Sequence, residues 1–358
     1  MGSRDRKQVS EMIYCFFRLG HTLKNISPEQ KIPLGLFLCN HQKDQVLEQL
    51  QPEWNALVEI SREEKLEWVR KRFPEFSELD IFPWKEQLSA GIDHRSFCLS
   101  FLEKPRIFIR VRPEMEDSLL EKLEKHSAPF RNADPAGVLG FKAYSFPGGT
   151  KLEEVFEINR DAVIQDLSSQ RTAEFIKING KKEFEAWDCC AGSGGKSILV
   201  ADLFPGCKIT VSDIRESILK NCQQRLKEAG IKPVRSFKAD LTSLQEIPRQ
   251  FFNFIVADLP CTGSGTWSRT PEALYFFKPE SISYYSQRQE KIISNVLNRL
   301  RPGGILVYLT CSVFAEENEK ISNLLTESGN VQLEKERLID GCDMAADSMY
   351  AARFVRIR

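Results

Sequence analysis

The sequence predicts an α/β protein in three parts: a helical segment over 1–96, a small α+β unit over 97–150, and a domain on a largely parallel sheet over 151–358. Three observations predict it. Apolar residues recur at helical spacing through the first part, and short alternating runs replace them in the second. In the third, strand-like runs alternate with helical stretches, the order that right-handed βαβ crossovers and a parallel sheet require.

Each part rests on particular residues. Val9, Met12, Ile13, Phe16 and Phe17 share one helix face, as do Leu66, Val69 and Phe73. Ser27-Pro-Glu-Gln and Ser61-Arg-Glu-Glu place a hydroxyl three residues before Gln or Glu, the pattern that caps a helix N-terminus. In the second part Ile107-Phe-Ile-Arg-Val reads as a strand and Glu116 to Lys125 as a helix. Gly137-Val-Leu-Gly-Phe-Lys-Ala-Tyr reads as a further strand, closed by the turn Pro147-Gly-Gly. The strands of the third part are Ala186-Trp-Asp, Ile209-Thr-Val-Ser, Val234-Arg-Ser-Phe, Phe254-Ile-Val-Ala and Ile305-Leu-Val-Tyr. Internal repeats and low-complexity linkers are absent from the sequence.

Composition bounds the function. With 42% hydrophobic residues in 358, the chain can bury a large core. Fifty Lys and Arg balance fifty Asp and Glu, so a nucleic-acid partner must be met by local patches rather than by a global field. Ten cysteines without a CxxC pair, and only four histidines, give no zinc pattern. Reduced thiols, no metal and a cytoplasmic location are expected. The apolar run Ile13-Tyr-Cys-Phe-Phe is cut short by Arg18, so neither a signal peptide nor a membrane span is expected there.

The first strand of the third part runs into Asp188-Cys-Cys-Ala-Gly-Ser-Gly-Gly-Lys-Ser197, then a helix. Glycines there allow a tight turn and let backbone amides approach a ligand at the helix N-terminus. A phosphate-binding P-loop needs Gly at 190, where Cys190 stands, and a dinucleotide fingerprint needs Gly at 197, where Ser197 stands. The second strand ends at Asp213, 25 residues after Asp188 (213 − 188), suited to ribose hydroxyls, and the third at Asp240, suited to an adenine amino group. Each acid alone is as well explained as a turn residue or helix cap. Together with the glycine loop they match an S-adenosylmethionine site formed by Cys190, Ala191, Gly192, Ser193, Gly194, Gly195, Lys196, Asp213, Asp240 and Asp258. Lys196 is read equally as reaching the methionine carboxylate and as a solvated first-turn lysine.

Asp258-Leu-Pro-Cys261-Thr-Gly-Ser-Gly265 and Thr310-Cys311-Ser312 each follow an apolar strand. Two thiols at the carboxyl ends of two strands, one near a carboxylate, suit covalent chemistry in the crevice where such sheets bind ligands. The residues alone do not rank the two thiols. Cys189, Cys190, Cys207 and Cys222 read as small hydrophobes.

These motifs, with Val163-Ile-Gln-Asp-Leu-Ser-Ser-Gln170, Arg269-Thr-Pro-Glu272, Leu300-Arg-Pro-Gly-Gly-Ile and Glu317-Asn-Glu319, resemble the RsmB/Sun family of RNA cytosine-5 methyltransferases over about residues 105 to 358. Where that family's loop has Ala-Pro, this chain has Gly192-Ser193, and Asp347-Ser-Met-Tyr350 replaces its usual Asp-Gly-Phe-Phe. The N-terminal helices are weakly similar to a NusB-type RNA-binding domain. The resemblance implies a Rossmann-like class I methyltransferase domain preceded by a small α+β RNA-binding domain and the helical domain. It also implies Cys311 as nucleophile, Asp258 at cytosine nitrogen 3, and Cys261 assisting proton removal and release.

The substrate it implies is a single-stranded or loop cytosine, foremost in ribosomal RNA, acted on by a monomer; transfer RNA, or an inactive RNA-binding assembly factor, is the alternative. Arg106, Arg110, Arg112 and Lys142, interleaved with Phe108, Phe141 and Tyr144, are weighed equally as a backbone-tracking surface and as the solvent face of a sheet. Arg269 is read either as a phosphate contact or as a surface ion pair.

Overall fold

The computed structural model describes residues 2–126, 129–176 and 184–357. The chain forms two compact units. The first joins Met1–Pro105 with Thr266–Pro279 and Cys342–Ala345; the second comprises Arg106–Gly265, Glu280–Gly341 and Ala346–Arg358.

The first unit is helical, with helices at Ser3–Arg18, Pro28–Cys39, Gln45–Leu50, Pro52–Ala56, Arg62–Arg72, His94–Ser100 and Pro271–Tyr275. Ser61 forms the expected box: its Oγ accepts from the Glu64 amide, and the Glu64 carboxylate accepts from the Ser61 amide at 2.9 Å. At Ser27 the hydroxyl makes no cap bond, and Pro28 sets the first helical turn instead. Arg269 lies in the Thr266–Pro279 segment of this unit. Trp267 and Phe277 from the same segment pack on Trp84, and the buried Arg18 guanidinium donates to the carbonyls of Phe101 and Ser268, each at 2.8 Å.

The second unit contains two sheets. Strands β1 (Ile107–Val111), β2 (Arg131–Asn132), β3 (Ala143–Phe146) and β4 (Ala162–Ile164) form an antiparallel sheet in the order β2-β3-β1-β4. The helix Glu116–Lys125 buries Leu119 and Leu123 in the same cluster as Ile109, Val111, Tyr144 and Phe146. The strand expected from Gly137 begins only at Ala143. The Asp134 carboxylate accepts the amides of Val138 and Leu139, and Gly137 and Gly140 adopt positive φ, so this stretch is a loop.

For Arg110 and Arg112 both readings, an RNA-tracking surface and the solvent face of a sheet, are corrected, while Lys142 is exposed. Phe108 and Tyr144 are buried, and Arg110 and Arg112 converge on the Asp202 carboxylate at 2.6 and 2.7 Å. A cation held inside by a buried carboxylate cannot also follow a phosphate chain. Arg106 donates to Ser145.

The larger sheet contains β5 (Glu185–Asp188), β6 (Lys208–Asp213), β7 (Arg235–Lys238), β8 (Phe252–Asp258), β9 (Leu300–Thr310), β10 (Val331–Ile339) and β11 (Met349–Arg356). The order is β10-β11-β9-β8-β5-β6-β7; β9 through β7 run parallel, and β11 pairs antiparallel with both β9 and β10. This is the α/β, parallel-rich class expected. Both faces are covered, and alternate residues divide between them. Ala186, Phe254, Val256, Val307 and Leu309 join the cluster of Ile198, Leu199 and Leu219. Trp187, Ile255, Ala257, Leu306 and Tyr308 join that of Ile292, Val296 and Ile321. Trp187 stacks on Phe252, and its indole donates to Ser212 Oγ at 3.0 Å.

Candidate active site

The chain leaves β5 toward β6 on one side, while β8 pairs on the other, so the order of strands reverses between β5 and β8. Ligands of open α/β sheets bind beyond the carboxyl ends at such a point. Asp188 ends β5, Asp213 ends β6, Asp258 ends β8 and Thr310 ends β9, all on that edge.

The loop after β5 is held from behind. Ala191 N donates to Ser212 O, and Gly194 N to Ala191 O. Gly192 and Gly194 take φ of +52° and +87°; a Cβ on Gly194 would meet Cys222 Sγ at 2.9 Å, whereas one on Gly192 would meet nothing within 4 Å. The loop thus packs its back and leaves Gly192 open. The helix Gly195–Leu203 follows, and Arg225 donates to the Ser193 carbonyl and hydroxyl. Cys190 is half-buried; Cys189 and Cys222 are buried, and burial pushes the Cys222 thiol up to about 12.

Buried Asp213 accepts from the Gly192 amide at 2.9 Å and from Arg215, linking the glycine loop to the end of β6. Asp240 accepts from the Thr242 hydroxyl and amide, which lower its pKa, so it shapes the turn after β7. Buried Asp188 accepts from Ser197 Oγ at 2.6 Å, and its Oδ1 has no protein partner. Burial raises its pKa to about 7, against the Ser197 hydrogen bond and with help from Asp258.

Lys196 is buried. Its Nζ donates to Ser169 Oγ at 2.6 Å and to Asp258 Oδ2 at 3.2 Å. A chain of contacts continues behind it, from Ser169 to Gln165 at 2.9 Å and from Gln165 to Arg110 at 3.1 Å. Ser169 and Gln165 belong to the Val163–Gln170 motif, whose order in the chain gave no hint of this support.

The thiols of Cys261 and Cys311 lie 3.2 Å apart, although fifty residues separate them. Their loops are pinned by Gly265 N donating to Cys311 O at 2.9 Å; a Cβ at Gly265 would fall 2.0 Å from Ser348 O, so only glycine fits. The Cys261 thiol is pushed well up, first by its hydrogen bond to Cys311, then by burial and by the charges of Cys311 and Glu317. Among the described residues, no group of three or more His, Cys, Asp or Glu is arranged to hold a metal, and no helix is long and apolar enough to cross a membrane.

The architecture is that of a Rossmann-like methyltransferase. It superposes on the crystal structure of PH0851 with a TM-score of 0.73 at 18% identity, covering 99% of this chain and 91% of the other. A methyltransferase homolog protein from Pyrococcus horikoshii gives 0.61 at 22% identity, covering 76% and 92%. NSun6 from the same organism, solved with SFG, gives 0.53 at 23% identity, covering 60% and 58%. Residues 175–355 match the model of the 16S rRNA methyltransferase RsmB/F family, and the chain belongs to that family. Ribosomal RNA small subunit methyltransferase B of Salmonella paratyphi A is 29% identical over 208 residues, 56% of this chain. The chain spans about half, 48%, of that relative's length.

Proposed function

We propose that this chain transfers a methyl group from S-adenosylmethionine to carbon 5 of a cytosine in RNA, with ribosomal RNA as substrate, through a covalent cysteine–RNA intermediate. The observation that carries the reading is the meeting of Cys261 and Cys311 at the sheet edge where Asp258 also ends its strand. Family membership and the names of the relatives support it, as does the neighbour solved with SFG, an analogue of S-adenosylmethionine.

The residues fit that cofactor. Gly192 opens on free space, Gly194–Gly195 begins a helix whose amides suit a carboxylate, and Asp188 presents an unpartnered buried oxygen nearby. Cys190 through Lys196, Asp213, Asp240 and Asp258 would line it, and when bound it supplies an electrophilic sulfonium methyl.

Carbon 5 of cytosine is a weak nucleophile, so the protein must activate it. Cys311 as thiolate adds to carbon 6, and the displaced π electrons make carbon 5 an enamine carbon able to accept the methyl. Asp258, oriented by Lys196, hydrogen-bonds or protonates ring nitrogen 3 and stabilises the charge that builds there. Cys261 then assists removal of the carbon 5 proton, the sulfur–carbon 6 bond breaks, and Cys311 leaves as thiolate. A base buried in a duplex stack cannot enter such a crevice, so the target is an unstacked cytosine.

The test is transfer of labelled methyl to 16S ribosomal RNA, with transfer RNA in parallel and 5-methylcytosine read out by nucleoside analysis. Label in 5-methylcytosine of ribosomal RNA is expected. Label elsewhere in the base or ribose, or calorimetric binding of ATP or NAD with no response to S-adenosylmethionine, would overturn the reading.

A further inference from the structure

Glu317 is fully buried, yet four donors converge on its carboxylate. The Thr262 amide and hydroxyl donate at 2.9 and 2.6 Å, Ser312 Oγ at 2.5 Å, and Gln289 Nε2 at 3.2 Å. Thr262 adjoins Cys261 and Ser312 adjoins Cys311, so one side chain bridges the two loops that carry the thiols. Its own placement is fixed: Tyr308 Oη donates to the Glu317 carbonyl, and Asn318, next in the chain, donates to Ser312 O at 2.9 Å. Gln289 also donates to Pro260 O at 3.0 Å, tying the other end of the Pro-Cys loop to the helix Glu280–Leu297.

We propose that Glu317 is a positioning residue whose carboxylate clamps the Pro-Cys loop to the Thr-Cys-Ser loop and so holds the two thiols within reach of one another. This rests on the cysteine mechanism above, and it assigns a role to an acidic residue distinct from Asp258. Acceptor-only geometry suits a carboxylate: every polar contact on its oxygens is a donor. Burial raises its pKa, and the hydrogen bonds from Ser312 and Thr262 oppose that rise. A negative charge here also opposes an anion at Cys261.

Thiol proximity can be read without RNA or cofactor. Diamide takes one hydrogen from each of two adjacent thiols and leaves a disulfide, so the rate at which it links Cys261 to Cys311, followed by peptide mass spectrometry, reports how often the two sulfurs meet. In Glu317→Gln the amide nitrogen cannot accept from the donors on its side, and the linking rate is expected to fall at least tenfold. Methyl transfer should lose kcat with little change in KM for S-adenosylmethionine. Thr262→Val, which removes one donor and no charge, should give a smaller fall in both. A folded Glu317→Gln or Thr262→Val protein that links the cysteines at the wild-type rate would overturn the proposal. Rapid wild-type linking that slows in the variants, combined with no methyl transfer in any of them, would keep the clamp and sink the mechanism it was meant to serve.

Discussion

Lys196 Nζ stands 3.2 Å from Asp258 Oδ2 and 2.6 Å from Ser169 Oγ, so the cation that begins the helix after β5 meets the carboxylate that ends β8. The pair spans the point at which the strand order reverses. A buried ammonium with two such partners is oriented rather than solvated, and it fixes which way Asp258 faces.

Lys196→Met should therefore lower kcat, on the order of a hundredfold, the usual worth of a positioned proton-handling group. Steady-state kinetics with saturating RNA checks this. An unchanged kcat with weakened S-adenosylmethionine binding would instead return Lys196 to the methionine carboxylate, one of the two roles weighed from sequence.

Asp188 predicts a pH dependence. Its folded pKa, raised to about 7 by burial, lies above its unfolded value near 3.8. The folded state therefore holds a proton that the unfolded state releases, and this contribution is full below about pH 4 and lost as pH rises through 7. Asp188→Asn mimics the protonated acid and cannot lose it. Denaturant midpoints should show the variant gaining on wild type between pH 5 and pH 8; an equal difference at both would contradict the assignment.

Asp202 pairs with Arg110 and Arg112 in the interior. Asp202→Ala leaves two guanidinium groups without their counter-charge and should cost about 3–5 kcal/mol of stability. Equilibrium unfolding measures it. A loss below about 1 kcal/mol, the level of an exposed pair, would mean that the site opens to water.

Much of this was legible in the sequence, and the failures are instructive. Continuous apolar runs such as Phe254-Ile-Val-Ala mark the central strands, because both faces of the parallel sheet are covered. Ile305–Tyr308 falls short of the full β9, since Arg301, Pro302 and Gly303 at its exposed start give no strand signal. Gly137–Lys142 resembles a strand in composition, and only the Asp134 side chain, capturing two amides, makes it a loop. Arg110 looked like a surface charge because its partner, Asp202, lies far along the chain. The Cys261 and Cys311 motifs were visible as motifs, but Glu317 could not be seen as their link: a carboxylate five residues after Ser312 acquires meaning only when the β8 loop folds back onto it.

The most direct test of the central claim, that the two thiols act at different times, is a denaturing gel of Cys261→Ala and Cys311→Ala, each mixed with substrate RNA and S-adenosylmethionine. Cys261→Ala should form the carbon 6 adduct and stall before elimination, giving a band of protein covalently joined to RNA. Cys311→Ala should give neither the band nor methylated RNA. A trapped band from Cys311→Ala and none from Cys261→Ala would contradict the account, and would make Cys261 the nucleophile.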